Sequence, residues 1–132
     1  MEVYEITLIE LSTKKEIHIP VEVDEAEESE NIVIYSKVKY HEVTSISDTY
    51  FIAYQEFRDE LLALGYGIKC NGSRINAIQS GMMGATDKVF LVEMGKQALK
   101  KDIVNIWDYA DIDIFANTQQ QNSFFDQWIN SL

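Results

Sequence analysis

The sequence predicts an α+β fold, a single domain over residues 1–132 with a mainly antiparallel sheet, one central amphipathic helix and a C-terminal helix. Three observations favour this class. Segments with strand periodicity lie on both sides of one helical pattern, a second helical pattern ends the chain, and no internal repeat or linker divides it. The hydrophobic fraction of 46% is ordinary for a globular protein and too high for general disorder.

The chain is predicted to open with a hairpin of two strands joined by Ser12–Lys15. Apolar residues alternate with polar ones in both strands: Tyr4, Ile6 and Leu8 in the first, and Ile17, Ile19, Val21 and Val23 in the second. Pro20 cannot donate a ladder hydrogen bond, so we expect the second strand at a sheet edge. The acidic stretch 24–30 is interpreted as a solvated loop, and Ile32–Tyr40 as a third strand.

The central helix is predicted from a stripe of large apolar residues at spacings of three and four. The stripe consists of Tyr50, Tyr54, Phe57, Leu61 and Leu64. Ser47 or Asp48 is the expected N-cap, and Gly65 suits a left-handed position just after the last turn.

Four apolar segments follow the helix. They are Tyr66–Cys70, Ile75–Ile78, the run Val89–Val92 that is expected to be covered on both faces, and Ile103–Trp107. Asn71 and Gly72 indicate a hairpin-type turn. The adjacent Met82 and Met83 cannot both point into one core from a strand, so one of them is a candidate surface side chain; turn chemistry and gap-filling are the favoured alternative.

A capping box is predicted at Asn117 and Gln120, before the C-terminal helix. We expect this helix to dock through one face that carries Phe124, Phe125, Trp128, Ile129 and Leu132. The predicted order of elements is therefore βββ-α-ββββ-α.

The formal net charge is −11, from 22 acidic and 11 basic residues, and the excess lies in two stretches. Val21–Glu30 contains six acids and Asp102–Leu132 contains five, and neither contains Lys or Arg. Concentrated negative charge can steer a basic partner, and it argues against direct binding of nucleic acid, which needs clustered Lys and Arg. A purely solubilising acidic surface is the alternative.

The candidate catalytic residues are few and isolated. His18 and His41 each could act as a base, and Cys70 could act as a nucleophile if His41 approached it; solvated histidines and a small core cysteine are the alternatives. The aspartates of 108–113 lack the glycine and glutamate of a calcium loop, and no Cys/His cluster suits zinc. We therefore predict a chain that is not an enzyme and has no cofactor and no metal site.

The segment Gly65–Arg74, which contains Cys-Asn-Gly-Ser-Arg, is followed by Ser80-Gly81-Met82, by a strand that ends Val92–Gly95, and by Val104–Asp108. In this order the segments resemble a family of small bacterial immunity proteins of polymorphic toxin and contact-dependent growth inhibition systems. The resemblance covers the central third of the chain and the strand Val104–Asp108. It implies a cytoplasmic protein that binds and neutralises a cognate toxin domain, and it transfers no toxin-binding residue.

An inhibitor of a basic nuclease needs acidic side chains that mimic phosphate and a few aromatic anchors. The expected toxin-binding residues are therefore Trp107, Asp108, Tyr109, Asp111 and Asp113, together with Glu25, Glu27 and Glu28. The alternative for the first group is that Trp107 and Phe115 belong to the core while the aspartates are merely solvated.

Two other functions stay open at this point. A non-catalytic adaptor or regulatory protein could use the same acidic surface for another basic protein, and a small enzyme could use Cys70 or a histidine. The sequence contains no apolar run of the roughly 20 residues that a membrane-spanning helix needs. The first residues lack the basic region of a signal peptide, and the single cysteine needs no oxidising compartment, so we expect no membrane partner and a cytoplasmic location.

Overall fold

A computed structural model describes residues 1–26 and 30–132 and confirms the α+β class. Within these residues the strands are β1 (Glu2–Glu10), β2 (Glu16–Glu25), β3 (Ile32–Val38), β4 (His41–Ser47), β5 (Tyr66–Ile68), β6 (Ala77–Ile78), β7 (Lys88–Leu91) and β8 (Ile103–Asn105). The α-helices are α1 (Tyr50–Ala63) and α2 (Thr118–Asn130).

The strands form two antiparallel sheets. The five-stranded sheet has the order β4-β3-β2-β1-β5, and the three-stranded sheet has the order β6-β7-β8. Helix α1 packs against one face of the larger sheet, where alternate strand residues such as Leu8, Val21 and Ile34 are fully buried with Phe57 of the helix. Residues that are paired across neighbouring strands point to the same side of the sheet. The strand registers therefore also show which residues share the opposite face.

The opening hairpin is confirmed, but the edge position predicted from Pro20 is wrong. Strand β2 is an inner strand that pairs with both β1 and β3. The ladder between β2 and β3 runs over Glu22–Glu25 only, so Pro20 lies just outside it and needs no donor on that side. The Ser36 hydroxyl donates to the Pro20 carbonyl at 2.8 Å and joins the two strands there.

Strand β4 was missed because its buried positions carry little apolar volume. The third predicted strand ends at Val38, Lys39 adopts a left-handed φ of 54° in the turn, and Tyr40 is 96% exposed. In β4 the inward positions are Val43 and Ser45, and the Ser45 hydroxyl donates to the Ala53 carbonyl of α1 at 2.6 Å. A serine at an inward position interrupts the alternation of apolar and polar residues from which a strand is predicted.

The N-terminus of α1 is capped by a distant segment rather than by Ser47 or Asp48. Thr49 occupies the N-cap position without a side-chain cap. The Tyr50 N–H donates to the Gly84 carbonyl at 2.7 Å, and the Phe51 N–H donates to the Gln79 side-chain oxygen at 3.3 Å. The predicted end of the helix is confirmed, since Gly65 has a φ of +95°.

Helix α2 begins with the predicted capping box. The Asn117 side chain accepts from the Gln120 N–H, and the Gln120 side chain accepts from the Asn117 N–H, both at 2.9 Å. The helix docks through a narrower face than expected: Gln121 and Trp128 are buried, whereas Phe125, Ile129 and Leu132 are exposed.

The turn at Asn71 and Gly72 is a single 3₁₀ turn, Asn71–Ser73, and not a hairpin turn. Gly72 is required there for space: a Cβ atom at this position would lie 2.8 Å from both Ile106 and Tyr54. The glycine therefore lets α1 and the segment after β8 approach the turn closely.

Candidate functional site

The described residues that were predicted to bind a toxin lie in two places, one after β8 and one at the end of β2. Trp107 was grouped with the first set but lies apart from it. Its indole is 4% exposed, donates to the Tyr50 hydroxyl at 2.8 Å, and packs edge-on against Tyr54 and Phe57. Trp107 could contact a partner directly only if the core opened. Its position therefore agrees with the alternative interpretation, in which Trp107 is a core residue.

The segment after Trp107 reaches the surface. Asp108, Asp111 and Asp113 are exposed, and Tyr109 is 57% exposed. Within the described part of the chain, the carboxylates of Asp108 and Asp113 have no hydrogen-bond or ion-pair partner. These two aspartates are therefore available to a basic partner.

Asp111 has a partner inside the molecule. Its carboxylate lies 3.2 Å from the ammonium of Lys69, which also lies 2.9 Å from Glu16 and 5.6 Å from the centre of the Tyr109 ring. Hydrogen bonds to Glu16, Asp111 and Tyr109 raise the pKa of Lys69. Lys69 thus fixes both the aspartate and the tyrosine against the end of β5.

Lys69 was not among the predicted site residues. A single lysine between Ile68 and Cys70 gives no periodic or motif signal. Its role depends on a long-range contact between β5 and the segment after β8. This contact consists of the β-bridge between Cys70 and Tyr109 and of the hydrogen bond that the Ala110 N–H donates to the Lys69 carbonyl at 3.1 Å.

Glu25 lies at the second place, at the far end of β2. It lines an open groove of about 390 Å³ together with three further carboxylates, those of Glu2, Asp24 and Asp87. Glu27 and Glu28, the other two acids predicted for this surface, lie outside the described residues.

The aromatic ring of Tyr4 lines the acidic groove. The Tyr4 hydroxyl donates to the carboxylates of Glu2 and Asp87, and the Tyr4 ring stacks on Trp107 at 5.5 Å between centroids. Burial is the main reason that the pKa of Tyr4 is raised, and it raises the pKa of Tyr50 to about 12. Both phenols are therefore neutral at neutral pH. Sequence reasoning missed Glu2 and Asp87 because they are separated by most of the chain.

The residues that could do chemistry are buried or dispersed. Cys70 is 1% exposed, and its thiol lies 3.1 Å from the hydroxyl of Tyr54, which lies 2.5 Å from that of Ser73. Burial raises the pKa of the Cys70 thiol. Cys70 follows β5 and the exposed His41 begins β4, at opposite edges of the sheet and roughly 19 Å apart by strand spacing.

His18 is exposed on β2, and its Nδ1 lies 3.1 Å from the Thr7 hydroxyl. Among the described residues, no three His, Cys, Asp or Glu side chains are arranged to hold a metal ion. The thiol and the two imidazoles therefore lie at three separate places in the fold.

A buried polar network joins α1 and α2 to the 71–74 turn. Arg58 is 1% exposed, and its guanidinium donates to the Gln121 side chain at 2.7 Å and to Asp59 at 2.8 Å. The Gln121 amide in turn donates to the carbonyls of Gly72 and Arg74 at 2.9 and 2.8 Å. This network joins α1, α2 and the 71–74 turn, and all its buried polar atoms have partners.

A second groove, of about 270 Å³, lies between α1, α2 and the segment 77–84, and the described residues that line it carry no charge. Met82, beside this groove, is 99% exposed, whereas Met83 is half-buried. One methionine of the pair is therefore a surface side chain, as the sequence suggested.

No protein-family model matches this chain, and no curated protein matches it. In residues 1–26 and 30–132, neither helix combines the length and the apolar content required to cross a bilayer.

Proposed function

We propose that this chain is an immunity protein that binds a cognate toxin domain, a basic nuclease, and blocks its active site in the bacterial cytoplasm. One observation carries the proposal: the carboxylates of Glu25, Asp108 and Asp113 are exposed and have no ion-pair partner within the described residues. Free carboxylates of this kind can occupy the positions of substrate phosphates in a basic cleft.

The proposed inhibition needs no group that makes or breaks a bond. The binding energy comes from desolvating a few anchors, and the surrounding charge accelerates encounter. Tyr109 is the aromatic anchor of the segment after Trp107, since it is exposed and held by Lys69. Its ring can pack on a partner while the flanking aspartates contact Lys and Arg side chains.

The proposal predicts that a toxin domain is encoded beside this gene, at the C-terminal end of a large secreted protein, and the test uses that domain. A cell that expresses the toxin domain alone should stop growing and degrade its nucleic acid, and co-expression of this chain should restore growth. The control is an immunity protein from an unrelated toxin pair, which should give no protection. Absence of protection by a folded chain would contradict the proposal. Isolation of a basic partner without toxic activity would favour the adaptor function.

A further inference from the structure

The five-stranded sheet has one face that no described element covers. Helix α1 packs on the inner face, and the side chains that alternate with the buried ones point outward from β1, β2, β3 and β4. We call this surface the outer sheet face. It consists of every second residue, starting from the first one named, in Val3–Ile9 of β1, Glu16–Asp24 of β2, Val33–Lys37 of β3 and Glu42–Ile46 of β4.

The outer sheet face carries a few large apolar side chains among its acids. Register places Val33 directly beside Ile46, and Glu22 between Val3 and Tyr35. Val3 and Ile46 are each 55% exposed, and the Tyr35 hydroxyl donates to Glu42 at 2.9 Å. A half-buried tyrosine with its hydroxyl held by a carboxylate, next to aliphatic side chains, is typical of the anchor region of an interface.

Carboxylates are the commonest charged groups of this face. Glu5, Glu22, Asp24 and Glu42 all point outward, and Lys37 is the one lysine among the described positions on β1 to β4 that share this face. A second copy of this chain would bring the same acids against each other, and like charges in contact repel. A basic protein surface has the complementary charge.

The described parts of the two predicted acidic stretches reach the margins of this same face at Asp24 and Asp111, whereas Glu25, paired with the buried Ile32, has the opposite strand orientation. Asp24 belongs to one end of β2, and Glu16 at the other end contacts the Lys69 that holds Asp111. Eight residues of strand separate Asp24 from Glu16, roughly 26 Å. Beside Ile9, the ring of Phe115 lies over Gly67, where an added Cβ atom would come within 2.6 Å of it, so the segment after β8 folds onto the edge of the outer face.

We propose that the outer sheet face is the centre of the interface with the toxin domain, and that Asp24 and the segment 108–113 form its rim. This inference rests on the proposed function and names the surface that performs it. The face measures roughly 26 by 14 Å, on the order of 400 Å², and the rim residues extend it toward the ~800 Å² that each partner contributes to a standard interface.

The test measures the affinity of the cognate toxin domain for two charge-reversal variants with equal net charge. Glu5→Lys with Glu22→Lys changes the outer sheet face, whereas Glu56→Lys with Glu60→Lys changes exposed positions of α1 on the other side of the sheet. Circular dichroism and thermal melting establish that both variants are folded. In 150 mM salt, the sheet variant should bind about 100-fold more weakly than wild type, and the helix variant within about fivefold of it.

An uncharged variant separates contact from steering. Val3→Ser with Ile46→Ser leaves the charge unchanged and should weaken binding at least about tenfold, mainly through faster dissociation. Wild-type binding by both sheet variants would overturn the inference and leave the proposed function intact. Failure of the wild-type chain to bind or protect would overturn both. A homodimer of the free chain that the serine variant disrupts would also overturn the inference.

Discussion

Lys69 and Asp111 form an ion pair of 3.2 Å across 42 positions of sequence, and it attaches the acidic segment after β8 to the edge of the five-stranded sheet. The same ammonium contacts Glu16 of β2 at 2.9 Å. The lysine side chain is 9% exposed although both acids are open to solvent. One basic residue thus sets the position of the acidic segment relative to the sheet.

Replacing this lysine should loosen the segment without unfolding the protein. In Lys69→Met the methylene chain is retained while the contacts to Asp111, Glu16 and the Tyr109 ring are lost. We expect faster amide hydrogen exchange at Ala110 and Ile112 and weaker toxin binding, because Tyr109 must then be ordered on binding. Lys15→Met, at an exposed lysine of the β1–β2 turn, is the control. Equal exchange rates in Lys69→Met and wild type would contradict the positioning role.

The network around Arg58 should be the most sensitive polar feature of the fold. Gln121→Ala removes the 2.7 Å acceptor of the buried guanidinium and both donors to the 71–74 turn. We expect the free energy of unfolding to fall by about 2–4 kcal/mol, because the buried guanidinium keeps Asp59 but loses one acceptor, and the carbonyls of Gly72 and Arg74 each lose a donor. Urea denaturation measures the change. Gln119→Ala on the exposed side of the same helix should cost about 0.5 kcal/mol or less, and a similar loss in both variants would count against the network.

The thiol and the two imidazoles should be dispensable for protection. Cys70→Ala should cost about 1–2 kcal/mol of stability through lost packing, since Ser73 still contacts the Tyr54 hydroxyl. His18→Ala and His41→Ala change exposed positions and should alter stability by less than about 0.5 kcal/mol. Growth rescue and toxin binding measure function. A folded variant that loses protection would indicate a chemical role.

Cys70 also has a predicted pH signature. Because burial raises the pKa of its thiol above the unfolded value of 9.0, the folded state holds the thiol neutral at pH values where the unfolded chain ionises it. The thiol's contribution to stability is therefore complete below pH 9 and declines as pH rises above it. The stability difference between wild type and Cys70→Ala should shrink between pH 8 and pH 10.

The acidic rim should act more on association than on dissociation. Because Trp107 is in the core, Tyr109 and Ile114 supply the exposed apolar surface near Asp108 and Asp113. Neutralising both aspartates to Asn should cost about 1–2 kcal/mol of binding, mostly through the on-rate, and raising salt from about 50 to about 500 mM should slow association of wild type about tenfold. Surface plasmon resonance gives both rates, and a salt-insensitive on-rate would contradict the steering argument.

Local sequence signals predicted the elements whose stabilising contacts are local. The stripe from Tyr50 to Leu64, the left-handed Gly65 and the Asn117–Gln120 box all involve residues within a few turns of each other. Strand β4 and the cap of α1 depended on distant partners: Ser45 occupies an inward position against Ala53, and Gln79 and Gly84 supply the acceptors at the helix start.

The candidate site was predictable in composition and not in arrangement. The charge pattern identified the acids, but their grouping depends on β1, which places Glu2 near Asp87 at one end and Ile9 near Asp113 at the other. Composition alone does not determine whether Trp107 is buried, because an aromatic residue among aspartates gives the same sequence pattern in the core and at the surface.

The most direct test is a titration of the toxin domain's nuclease activity with this chain at a concentration far above the dissociation constant. A binding inhibitor should remove activity linearly and reach zero at one molecule of chain per toxin, and separation of the complex should restore active toxin. Loss of activity at far less than one equivalent, without recovery, would show that the chain acts catalytically and would contradict the account. Full activity at a large molar excess would contradict it equally.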